Sequence, residues 1–384
     1  MKKIIYAIII VLLIVFAATV SIKNTNNQNK IEGDAVSQTE TTEEYSYFKN
    51  WEKTRPKVKG IYVTGPTAGS ERMSEILELI DETELNTIVL DVKDDAGNIT
   101  FNMQNDDVKA TEACIPYIHD IDALMKTLKS KDIYVIARIP CFKDPVLSTA
   151  VPEVALKTAT GEPVTDANGN AWVNPCDERV WDYLISIAKS CKDIGFDEVQ
   201  FDYVRFPVGQ NAADAIYNVE LDDTVKQEYI NRFLDKAVKT LHDYDMPVTA
   251  DVFGTIIKSD LDAAHVGQNY KTLASSTDIL CPMIYPSHYA DGEFGLAHPD
   301  VNPYETIYAS LTGSKNILSD LPADKCATIR PWLQAFTASW LDYYIEYDAD
   351  AIQKQIQAVY DAGYDEWILW NSGSHYDKSW FEAQ

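Results

Sequence analysis

The sequence predicts a single (β/α)8 TIM barrel of the α/β class, preceded by an N-terminal membrane segment and a disordered polar linker. Three observations point to this fold. From Lys57 onward, eight short runs rich in β-branched and aromatic residues follow one another, separated by amphipathic helical patterns. Such alternation implies a parallel sheet with crossover helices. No glycine-rich phosphate loop follows the first run, which favours a closed barrel over an open, doubly wound sheet.

The predicted strands cover residues 58–63, 87–92, 134–138 and 198–203 in the first half, and 247–253, 278–285, 327–332 and 366–370 in the second. Helical periodicity is clear at 73–80, 121–130, 180–194, 225–244 and 349–362. Gly195-Phe196-Asp197-Glu198 and Gly363-Tyr364-Asp365-Glu366 repeat one device, in which glycine stops a helix and the chain turns into the next strand.

Ahead of the barrel, Met1-Lys2-Lys3 precedes an uncharged stretch from Ile4 to Val20, at the short edge of what spans a bilayer. Residues 1–22 are expected to be a signal-anchor or a signal peptide. The mediocre cleavage site at Ala17-Ala18-Thr19-Val20-Ser21 favours the anchor, with Lys2 and Lys3 held in the cytoplasm. Either alternative places the rest outside the cytoplasm, membrane-anchored by the N-terminal helix or secreted if the segment is cleaved. Residues 23–47, rich in Asn, Gln, Thr, Ser and Glu, have too little apolar surface to order and form the linker. The barrel spans 48–384.

With 33 basic against 59 acidic residues, the formal charge of −26 argues against nucleic acid as a partner. The six cysteines, at 114, 141, 176, 191, 281 and 326, show no CxxC spacing, and the apolar settings of Cys141 and Cys281 suggest buried thiols. A disulfide involving Cys114 or Cys176 stays open. The six histidines lack HxxxH or HExxH spacing, and no GxSxG occurs, so neither a metal site nor a serine nucleophile is expected. No cofactor is implied.

In such barrels chemistry sits at the C-terminal ends of the strands. Those ends carry Asp91, Arg138, Asp202, Arg205, Asp251, Tyr285, His288, Arg330, Trp332, Gln334 and Trp370. Asp202 and Asp251 interrupt apolar runs on neighbouring strands, where a charge is costly unless paired or used. Arg205 offers a structural partner for Asp202. Two carboxylates on one cleft are what glycoside hydrolysis requires. The remaining nine are candidates for substrate binding, with Tyr285, Trp332 and Trp370 as sugar-stacking faces. The acids from Asp91 to Asp95 serve equally well as turn residues around Gly97.

Phe201-Asp202-Tyr203-Val204-Arg205-Phe206-Pro207 resembles a bacterial family of exported barrel proteins designated glycosyl hydrolase domains. Lys59-Gly60-Ile61-Tyr62-Val63-Thr64, Leu90-Asp91-Val92-Lys93-Asp94, Ala250-Asp251-Val252-Phe253-Gly254, Arg330-Pro331-Trp332-Leu333-Gln334 and the segment from Cys281 to Tyr289 also match. The resemblance spans about Lys57 to Trp380 and extends remotely to α-amylase-like glycoside hydrolases. It implies that Asp202 is the nucleophile and that Asp251 stands in the acid's place, where the wider group usually has Glu. The resulting expectation is a hydrolase of an extracellular or cell-wall glycan, its substrate a poly- or oligosaccharide. The alternatives are a non-catalytic glycan-binding barrel and a metal-dependent hydrolase built on the Asp91–Asp95 cluster.

Overall fold

The computed structural model of the chain describes residues 51–381. The predicted membrane segment, residues 1–22, and the linker, 23–47, lie outside the described residues. Among the described residues, no helix is long and apolar enough to cross a membrane.

Eight parallel strands close a barrel: β1 (Lys59–Val63), β2 (Thr87–Asp91), β3 (Tyr134–Pro140), β4 (Glu198–Asp202), β5 (Val248–Phe253), β6 (Ile279–Ile284), β7 (Thr328–Ile329 with Trp332–Gln334) and β8 (Trp367–Trp370). Each pairs with the next, and β8 closes on β1 through Lys59, Gly60 and Ile61. The predicted seventh strand is broken at Pro331, whose missing N–H interrupts the ladder, and it resumes as far as Gln334.

The crossovers carry α1 (Arg72–Asp81), α2 (Ile121–Ser130), α3 (Glu178–Ile194), α4 (Asp223–His242), α5 (Asp260–Val266), α6 (Tyr270–Ser276), α7 (Pro303–Leu318) and α8 (Ala349–Asp361). The sequence pattern predicted none of α5, α6 and α7. The first two have only seven residues each, and α7 dilutes its periodicity with Ser, Thr and Gly. Some of the acidic residues work locally. Asp120, Asp222 and Asp348 cap α2, α4 and α8, accepting the backbone N–H of Ala123, Val225 and Ala351. Gly195 ends α3 at φ 104°, a left-handed conformation that glycine adopts freely. All six cysteines are free.

The large apolar core lies between barrel wall and helices, while a smaller cluster that includes Tyr62, Val89, Ile136, Cys281, Trp332 and Ile368 fills the barrel. Those residues share one parity along their strands, and the same parity places Glu198, Gln200 and Asp202 of β4 inside as well. At the N-terminal end, Arg330 donates to Glu198 Oε1 at 2.7 Å and to Glu366 Oε2 at 2.9 Å. Arg55 seals the same cluster, 2.6 Å from Glu366 Oε1. Arg330 therefore does not reach a substrate cleft, contrary to the expectation from sequence. It is fully buried and committed to two carboxylates of the barrel floor.

A buried ion cluster that loses one member leaves uncompensated charge. Arg330→Met is expected to cost about 3–5 kcal/mol in denaturant unfolding, while whatever folded protein remains keeps its ligand-binding properties. A loss below 1 kcal/mol would contradict the structural assignment.

Candidate active site

The opposite end of the barrel is organised around Arg138, on β3. Its guanidinium is buried and touches three carboxylates. Nη1 donates to Asp91 Oδ1 at 2.7 Å, Nη2 to Asp95 Oδ1 at 2.8 Å, and Nε and Nη2 to Asp202 Oδ2 at 3.0 and 2.5 Å. The plane also packs over Tyr62 and Trp370, 5.5 and 5.2 Å from the ring centres. Burial opposes the charge of Arg138, but Asp202, Asp91 and Asp95 outweigh it and raise its pKa well above the usual arginine value.

Each acid has a distinct second partner. Asp91 accepts the Tyr62 hydroxyl. Asp95 lies 2.8 Å from Lys143 Nζ and accepts the Tyr203 hydroxyl at 3.0 Å. Burial alone would raise Asp95, yet Arg138 and Lys143 hold its carboxyl well below the usual range. Asp94 is the turn residue of the set, accepting the backbone N–H groups of Ala96 and Asn98.

Asp202 ends β4. Its Oδ1 accepts the Tyr203 N–H at 2.6 Å, an arrangement made by a left-handed Tyr203 at φ 50°. A non-glycine residue in that region costs about 1–3 kcal/mol, and such strain collects at functional sites. Arg205 is not its partner; Arg138 takes that place.

Asp251, on β5, has a different environment. It is 1% exposed and accepts the Trp332 indole N–H at 2.8 Å through Oδ1. Burial, and then the negative charge of Asp202, push its pKa well above the usual carboxylate value.

Both aspartates line a cavity of about 530 Å3 over the C-terminal ends of the strands. Its walls include Arg138, Arg205, Phe253, Met283, Tyr285, His288, Tyr289, Trp332 and Trp370. Gly254 lets the β5 and β6 loops meet, since a Cβ there would stand 2.5 Å from Met283 O and from Tyr289 Oη. A second, shallower groove of about 1100 Å3 shares Val208 and His265 with the cavity.

Residues 60–376 match the family described as "Putative glycosyl hydrolase domain". The chain belongs to this family. A hypothetical protein from Ruminiclostridium thermocellum is 37% identical over 50% of this chain and 97% of its own, with a TM-score of 0.45. The glycoside hydrolase domain of PgaB (BpsB) from Bordetella bronchiseptica superposes at a TM-score of 0.60, with 12% identity over 83% of this chain and 95% of that one. The spore cortex-lytic enzyme SleL of Bacillus megaterium gives a TM-score of 0.50, with 14% identity over 85% and 74% of the two chains. At such identities these two likenesses speak to the barrel alone. No curated protein matches the chain in sequence.

Eight of the eleven residues predicted for the site line the cavity: Arg138, Asp202, Arg205, Asp251, Tyr285, His288, Trp332 and Trp370. Asp91 and Gln334, like Arg330, do not. Asp91 lies behind Arg138 as its counter-ion. Gln334 is fully buried, donating to Asp300 Oδ1 at 3.0 Å and accepting the Ser287 N–H at 3.0 Å, so it braces loops rather than ligand. Sequence reasoning missed Phe253, Met283 and Tyr289 in the wall and Tyr62 behind it. Their only sequence signal was inward parity or position just after a strand.

Asp91 makes a pH-dependent contribution. Burial outweighs the opposing pull of Arg138 and pushes its pKa up to about 7, against about 3.9 in an unfolded chain. The folded state thus favours the protonated acid. Its contribution is complete below about pH 4 and declines as pH rises toward 7. Carboxyl 13C titration of Asp91 is expected to show a midpoint near 7. Asp91→Asn should flatten the stability profile across that window, and a midpoint near 4 would exclude this account.

Proposed function

We propose that this barrel hydrolyses glycosidic bonds of an extracytoplasmic poly- or oligosaccharide by a two-carboxylate mechanism, with residues 1–22 providing the membrane anchor or export signal. The observation that carries this reading is the contrast between two aspartates lining one cavity. Asp202 accepts hydrogen bonds from a guanidinium and a backbone N–H, whereas Asp251 is buried beside that negative charge and favours its protonated form. Environments that push two carboxyl groups apart assign acid and nucleophile or base. Membership in a glycosyl hydrolase domain family supports the same chemistry.

In the proposed reaction, Asp251 gives its proton to the leaving glycosidic oxygen as the C–O bond to the anomeric carbon breaks. Asp202 faces the developing oxocarbenium charge, as a nucleophile or by stabilising it. Water supplies the hydroxyl that ends on the anomeric carbon, and its remaining proton restores the acid. Tyr285, Trp370 and Phe253 provide ring faces and edges for the sugar, and the adjoining groove gives room for a chain of residues.

One observation favours a second reading, a non-catalytic glycan-binding barrel: both oxygens of Asp202 are already engaged, Oδ2 by two hydrogen bonds from Arg138 and Oδ1 by the Tyr203 N–H.

Release of reducing ends by the full chain from a panel of glycans separates the two. Asp251→Asn and Asp202→Asn are each expected to lower kcat by about 100- to 10,000-fold with folding retained. Because Asp251 acts protonated, wild-type activity should fall as pH rises through its raised pKa, and Asp251→Asn should lose that limb. Tight glycan binding without any release by the wild-type chain would support the binding barrel instead.

A further inference from the structure

Arg205 is a second cavity arginine, and it is held quite differently from Arg138 and Arg330. It is 8% exposed, and its one hydrogen bond among the described residues runs from Nη1 to Phe206 O at 2.9 Å. Trp172 and Phe253 pack on the guanidinium, each ring centre 4.8 Å from Cζ, with Tyr203 at 5.5 Å. Among the described residues no carboxylate forms a salt bridge with it, whereas Arg138 has three and Arg330 two. Nε and Nη2 make no hydrogen bond there, and neither is sealed from solvent. Both stay available to the cavity that Arg205 lines.

A cation withdrawn from water with no carboxylate in contact is costly; Asp202 and Asp166 act on it only from a distance, and the three rings offset only part of that cost. Burial pulls the Arg205 pKa down to about 10, so the side chain stays charged at neutral pH. Two donors of a planar fork, free and side by side, match the two oxygens of a carboxylate. The other charged or titratable groups on this cavity are Arg138 with Asp202, Asp251, the rim residues Asp262 and His265 on α5, His288, and the hydroxyls of Tyr203, Tyr285 and Tyr289, while Asp166 acts on Arg205 from a distance. None supplies Arg205 with a salt bridge. We infer that Arg205 is a subsite for a carboxylate borne by the sugar substrate, so that the barrel selects an acidic glycan over a neutral one. The inference rests on the glycan-binding part of the proposed function, not on cleavage. The carboxylate could belong to a lactyl ether, as in muramic acid, or to a uronic acid.

The test measures binding of three tetrasaccharides to the full chain carrying Asp251→Asn, so that the probes are not consumed. They are chitotetraose, alternating N-acetylglucosamine and N-acetylmuramic acid, and hyaluronan tetrasaccharide. The first two differ by the lactyl carboxylates, and the third places its carboxylates at C6. One acidic probe is expected to bind roughly ten- to a hundredfold more tightly than chitotetraose, and which one identifies the source. Raising salt should weaken that preference. Arg205→Met should abolish it and Arg205→Lys should keep part of it. If Arg205→Met does not fold, the probe comparison, the salt series and the lysine variant still decide. Equal binding of neutral and acidic probes, a preference that survives Arg205→Met, or no binding of either acidic probe overturns the inference. Reducing-end release by the wild-type chain is scored separately. An Arg205-dependent acidic preference without cleavage removes only the hydrolase, and cleavage without preference removes only the carboxylate subsite.

Discussion

The upper half of the barrel depends on keeping the Arg138 guanidinium charged away from water. Desolvating one guanidinium costs several kcal/mol, and a single carboxylate seldom returns that much. Here three converge on it, from β2, from the loop after β2 and from β4, while Tyr62 of β1 and Trp370 of β8 cover its faces. Four strand ends are thereby tied to a side chain carried by a fifth. The left-handed Tyr203 belongs to the same constraint: its N–H is turned onto Asp202 while its hydroxyl reaches Asp95.

A similar arrangement at the floor does a different job. Arg330, Glu198, Glu366 and Arg55 form a buried set in which each cation has a carboxylate, Lys57 adds a longer contact to Glu366 from the surface, and no group of the set lines the cavity above. β4 links the two tiers, since its inward residues are polar at every level: Glu198 below, Gln200 in the middle, Asp202 above. The lower tier stabilises and the upper tier presents chemistry, as expected for barrels in which function lies at the C-terminal ends.

This division explains what could be read from sequence. All eight strands were legible because β-branched runs and glycine helix stops are local signals. Asp202 and Asp251 were legible because a charge inside an apolar run is conspicuous. The partner of a charge was not, because it depends on which residues the closed barrel brings opposite each other. Arg205 is three residues from Asp202 and looked like its mate, yet Arg138, from the neighbouring strand, takes that place. Arg330 and Gln334 flank Trp332 on β7 with the same polarity profile as site residues. Only the register, which sets Arg330 level with Leu280 and opposite Glu198, shows that it lies too deep to meet a ligand.

The distribution of cations also accounts for the asymmetry of the two aspartates. Arg138 is spent on the Asp202 side, and Arg205 lies beyond Tyr203, so Asp251 receives a neutral indole donor and the repulsion of Asp202. Protonation is the least costly state for a carboxyl so placed. Scarcity of acids cannot explain the isolation of Arg205 in a chain with 59 acidic and 33 basic residues. The two carboxylates that act on it from a distance are engaged elsewhere, Asp202 by Arg138 and Asp166 by Asn168 and Asn170. A guanidinium without a carboxylate in contact, amid so many acids, reflects where the barrel places it, against three aromatic rings on the wall of the cavity.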